Sequence, residues 1–147
     1  MDSSKLKKTI NDILSEYGFK KEGNRWIRKG EEISEKAVLQ KSSFGNYYYF
    51  RYYYNINNLS LDDNEGHVLA SIGVSEQEYK SFLQALDLEN VLDDEQRREA
   101  IKQIFSESVL CKTNMIDSEE KLRAFLVRSD LPVLRIVSQY LHIPSCK

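Results

Sequence analysis

The chain changes its hydrophobic period twice. Leu6, Ile10, Ile13, Leu14 and Tyr17 recur at helical spacing, with Ser3 or Ser4 as N-cap and Gly18 just past the end, and predict a first helix. Beyond Gly18 the pattern turns extended. Phe19 to Lys29 holds a Gly23-Asn24 turn pair with Trp26 and Ile27, Ile33 to Ser42 reads as a strand, and Gly45-Asn46 marks the next turn. An aromatic strand follows to about Asn57, then a polar loop from Asn58 to Gly66 and a fourth strand over His67 to Val74. Short connections between successive strands imply an antiparallel meander of three or four strands. Helical spacing then returns. Ser75 with Glu78 forms a capping box before Tyr79, Phe82, Leu83 and Leu86, and Asp93 or Asp94 caps a second helix. Ser118 caps a third helix, and Pro132 sits at the first turn of a last one running from Val133 to Leu141. The fold class read from this is α+β: an N-terminal helix, an antiparallel sheet and a helical C-terminal half, in a single domain over residues 1–147.

The aromatic strand is the densest feature, with seven aromatic side chains in the eight residues from Tyr47 to Tyr54. Alternation puts Tyr48, Phe50, Tyr52, Tyr54 and Ile56 on one face and Tyr47, Tyr49, Arg51, Tyr53 and Asn55 on the other. Only the second set holds a charge, so the first is assigned to the core. Tyr47, Tyr49, Arg51 and Tyr53 then form a surface row of the residue types that dominate binding hot spots. The competing expectation is that the C-terminal helices cover this row and a carboxylate there pairs Arg51.

Charge sharpens the picture. Net charge is −2 over 147 residues, but residues 1–60 hold 11 Lys and Arg against 7 Asp and Glu, whereas residues 61–147 hold 10 against 16. An acidic stretch around Asp93, Asp94 and Glu95 suits a basic protein partner, and these three join the row as candidate partner-binding residues. The basic cluster Lys20, Lys21, Arg25, Arg28 and Lys29 around Trp26 is the type that binds single strands, but the overall acidic balance disfavours nucleic acid. No apolar run reaches the roughly 20 residues that span a bilayer, and the N-terminus lacks an apolar signal region. A cytoplasmic location follows, with Cys111 and Cys146 as free thiols.

No motif names a reaction. His67 and His142 lack metal-ligand spacing, and the glycines of Gly18 to Asn24 lack the Lys-Ser/Thr of a phosphate loop. The run Asp62 to Gly66 places its glycine one position early for a calcium loop, with Gly73 where the bidentate Glu belongs. Neither cysteine has a nearby histidine in sequence. No catalytic residue, metal or cofactor is assigned.

Tyr17-Gly18-Phe19-Lys20-Lys21, then Gly23-Asn24-Arg25-Trp26-Ile27-Arg28, then Gln40-Lys41-Ser42-Ser43-Phe44-Gly45-Asn46 and an aromatic strand resembles a bacterial family of small α+β domains of unknown function. The likeness covers about residues 3–73, with His67 to Gly73 as that family's final strand. The tyrosine-rich third strand and the acidic helical second half depart from it. The resemblance implies a small cytoplasmic protein and brings no catalytic residue or cofactor. Small bacterial domains of this kind often accompany polymorphic toxins as immunity proteins. The expected function is therefore a protein-binding module, most concretely an immunity-type inhibitor of a toxin domain. The alternatives are a small-ligand binder or enzyme with Trp26 and the tyrosines lining a pocket, and a nucleic-acid adaptor.

Overall fold

A computed structural model of the chain describes residues 1–62, 64–70, 76–109, 116–129 and 133–143. Helix α1 spans Ser3–Glu16 and buries Leu6, Ile10, Ile13 and Leu14. Its cap is Asp2, whose carboxylate accepts the Lys5 N–H at 2.8 Å, rather than Ser3 or Ser4, which lie inside the first turn. Gly18, at φ +89°, turns the chain out of the helix in a conformation that a side chain resists.

Five strands follow: β1 Lys20–Glu22, β2 Arg25–Arg28, β3 Ile33–Lys41, β4 Tyr48–Ile56 and β5 Val68–Ala70. They form one antiparallel sheet in sequence order. The count exceeds the expected three or four because Gly23 folds the first extended stretch into a hairpin of its own. Residues 71–75, with the Ser75 capping box, lie outside the described residues, as do Cys111, Pro132 and Cys146.

The helices are α2 Glu76–Ala85, α3 Asp94–Ile104 with a π-helical turn Phe105–Val109, α4 Glu119–Arg128 and α5 Arg135–Leu141. Asp93 caps α3 in a capping box with Gln96, and Ser118 caps α4. Leu134 holds the N-cap position of α5. No helix among the described residues is long and apolar enough to cross a membrane.

Register decides where the core lies. Trp26, Ala37 and Tyr52 stand opposite one another across β2, β3 and β4, as do Leu39 with Phe50 and Ile33 with Ile56. This face meets Leu6, Ile10 and Leu14 of α1, Phe82 and Leu86 from the α2 region, and Ile101 and Phe105 from α3 and its extension. A second cluster packs Ile33, Ile56 and Val68 against Leu122, Leu126, Val137 and Leu141 of α4 and α5. Tyr54 touches both clusters. All the described helices therefore pack on one side of the sheet.

That side also holds a buried ion pair, Arg28 with Glu35. Arg28 Nη1 donates to the Tyr17 carbonyl at 2.9 Å, and its guanidinium lies 4.6 Å from the Phe19 ring centroid. Burial, reinforced by the Glu35 charge, pushes the Tyr54 hydroxyl up to about 12 and raises Tyr52 as well.

Phe50 packs on Phe82 and Phe105 with ring centroids at 5.6 and 4.9 Å. Phe50→Ala is expected to cost about 3–5 kcal/mol. Tyr49→Ala, on the opposite side of the same strand, should cost less than about 1 kcal/mol. Urea denaturation of the two variants checks this, and equal losses would contradict the assignment of faces.

Candidate protein-docking face

The other side of the sheet carries none of the described helices. Reading across strands, Glu22, Arg25, Val38 and Arg51 form one row, and Lys20, Ile27, Lys36, Tyr53 and Leu69 form the next. Gln40 and Tyr49 form a third. Tyr49 is 40 % exposed and meets Tyr47 edge-to-face at 5.7 Å. Arg51 is exposed and makes no ion pair with any described residue. The described C-terminal helices, from which a pairing carboxylate is expected, pack on the opposite face.

Part of this face has a cover of its own. Residues 64–67 fold back across it as a strap, anchored at its end by His67. The His67 Nδ1 accepts the Ile56 N–H at 2.8 Å and Nε2 lies 3.0 Å from the Ser60 carbonyl, so Nε2 carries the proton. His67 is buried and structural. Among the described residues no group of His, Cys, Asp and Glu is placed to hold a metal ion.

Glu65 clamps the strap down. Arg25 Nε and Nη2 donate to its carboxylate at 2.6 and 3.1 Å, and Lys36 Nζ lies 3.0 Å from it. Hydrogen bonding from Arg25 is the main reason the carboxyl is lowered to about 2; burial opposes the shift and Lys36 adds to it. The neighbouring Gly66 lies flat on Tyr53, where a Cβ would come within 2.4 Å of the ring. Tyr53 is consequently buried, at 8 % exposure, and the surface row expected from alternation is cut to Tyr47, Tyr49 and Arg51.

The outer end of the row is fixed from the helical side. Tyr47 pairs with Asp87, Tyr48 N–H donates to the Leu86 carbonyl at 3.1 Å, and Leu88 N–H to that of Asn46 at 2.9 Å. Arg97 of α3 holds this connection in shape. Almost wholly buried, it donates to the carbonyls of Ala85, Asp87 and Asn90 at 2.7, 2.9 and 3.1 Å. These carbonyls lie at and just beyond the C-terminal end of α2, where the helix dipole favours a cation. Phe44, in the hairpin tip beside this junction, is 90 % exposed.

The acidic candidates have other employment. Asp93 caps α3, and Asp94 accepts Lys5 Nζ at 3.0 Å and lies 3.3 Å from the N-terminal amine. Glu95 is exposed. The structure joins Tyr47, Tyr49 and Arg51 on one face and leaves Asp93 and Asp94 in helix-terminal bonds. In the basic cluster, Trp26 is fully buried with Nε1 on Asn11 at 3.1 Å, while Arg25 and Arg28 are in ion pairs. Neither a stacking platform nor an aromatic pocket wall is formed by Trp26. Two concavities of about 440 and 470 Å³ share Ile27 and Lys29. The first is edged by Lys20, Lys21 and Lys29; in the second, Ser34 and Asn57 bond to each other at 2.7 Å.

No protein-family model, curated protein or solved structure matches the chain.

The clamp has a pH signature. Glu65 is held below its ordinary 4.5, so its contribution to stability is complete above that value and is lost as pH falls through about 2. The stability difference between wild type and Glu65→Gln should therefore shrink between those two values. Urea unfolding at a series of pH values measures it, and a difference constant across the window would show that the carboxylate's charge is not what holds the strap.

Proposed function

We propose that the protein is a bacterial, cytoplasmic protein-binding module that docks through the uncovered part of its sheet, centred on Tyr49 and Arg51 with Tyr47 alongside. One observation carries the reading: an arginine without an ion partner among the described residues stands beside exposed Tyr49 and half-buried Tyr47, on a face that no described helix covers. Tyrosine offers large contact area with few rotors to freeze, and arginine a rigid fork of donors. Both sit on a nine-residue strand whose whole length pairs with β3, so the docking side chains are held in place before a partner arrives. In its most concrete form the module is an immunity-type inhibitor that covers a toxin domain with this face. Support for this form comes from the scaffold's rigidity and its aromatic-arginine anchors rather than from the acidic start of α3, whose Asp93 and Asp94 are engaged.

Affinity capture from the source cells with quantitative mass spectrometry tests the proposal. Wild type and Tyr79→Ala, a control at an exposed position of α2, should retain the same partner. Tyr49→Ala and Arg51→Ala should each weaken capture by about 30-fold, the loss of a hot-spot residue. Melting temperatures should stay within a few degrees of wild type. Undiminished capture by both variants would move the binding site elsewhere.

A further inference from the structure

We infer that the docking face receives an acidic protein surface, a partner carboxylate taking the Arg51 guanidinium while Tyr49 packs beside it. The inference rests on the protein-binding reading above and adds the partner's charge. The whole chain has a net charge of −2, yet the outer-face rows hold Lys20, Arg25, Lys36 and Arg51 against Glu22. Among the described residues Glu65 is the further carboxylate bonded to these rows, so the rows are net cationic on a chain that is net acidic.

The molecule itself displays the chemistry this face accepts. Glu65 sits two-pronged on Arg25 and is bonded by Lys36, as a partner's side chain would be. Arg51 stands in the same row as Arg25, with Val38 between them, and so lies two strand spacings away, roughly 10 Å. An extended acidic segment crossing the strands could therefore place one carboxylate on Arg51 and a second near the Glu65 clamp. Because the clamp is partly solvent-exposed, it can be exchanged for a partner carboxylate. Phosphate is the other anion such a fork accepts, but Trp26 is buried and gives a nucleic-acid strand no stacking platform.

NMR titration of the ¹⁵N-labelled protein separates these cases. The probes are a short peptide carrying Glu residues around one Leu, its Lys-for-Glu counterpart and an oligothymidylate. The Glu peptide should shift the Arg51 Nε and Tyr49 amide signals, and Arg51→Ala should weaken its binding at least about tenfold. Glu65→Gln should tighten binding several-fold and extend the shifts to Arg25 and Lys36; the variant's own spectrum reports whether it is folded, and the Arg51→Ala arm stands without it. A stronger response to the Lys peptide or the oligonucleotide, no response to the Glu peptide, or one indifferent to Arg51→Ala overturns the acidic partner. If Tyr49→Ala still abolishes capture from cells in that event, the docking face survives and only the partner's charge is wrong.

Discussion

Side chains on a strand alternate, and only one face of β4 lies under the described helices. Tyr48, Phe50, Tyr52 and Ile56 go under the helices together, with Tyr54 half-buried among them, or none of them does. A slip of one residue would drive Arg51 into the space between α2 and α3 with no partner, a cost of several kcal/mol on the order expected for an unpaired buried charge. Nine paired positions with β3 hold the register, and the junction of Tyr47 with Asp87 pins its outer end. The one-sided stacking of helices follows from this constraint. So does the absence of described helices from the opposite face, which the strap covers in part.

The two ion-pair clusters on the sheet have different roles because water reaches them differently. Arg28 and Glu35 are enclosed among Tyr52, Tyr54 and Phe19, where breaking one partner costs about 3–5 kcal/mol. Glu65 on Arg25 and Lys36 is partly open, and pairs of that kind contribute about 0–1 kcal/mol. The first is a fixed part of the core. The second is open to water and lies in the row that continues to Arg51.

Much of this was legible along the chain. Period-two alternation in β4 assigned its faces, and the residues capping α3 and α4 stood where a polar side chain preceded helical spacing. The failures are those of contacts between distant residues. Glu65 and Gly66 lie in a polar loop whose local chemistry says only that it turns; that it returns over Tyr53 depends on Arg25 and Lys36, far away in sequence. Arg97 sits on a helix crowded with carboxylates and reads as solvated, although its fork is buried in the carbonyls that end α2. Trp26 stands among basic neighbours in sequence, yet the same alternation along Arg25-Trp26-Ile27-Arg28 places it opposite Arg25. That signal was present and would have sent it inward.

The central claim is that one face of β4 is open and the other closed, with the strap as the boundary between them. Hydroxyl-radical labelling of the native protein, read tyrosine by tyrosine by mass spectrometry, tests it most directly. Tyr49 should be the most heavily labelled residue of the strand, while Tyr48, Tyr52 and Tyr53 are protected until the protein is unfolded. Labelling of Tyr48 or Tyr52 to the level of Tyr49 would contradict the register and the faces together, and labelling of Tyr53 alone would contradict the strap.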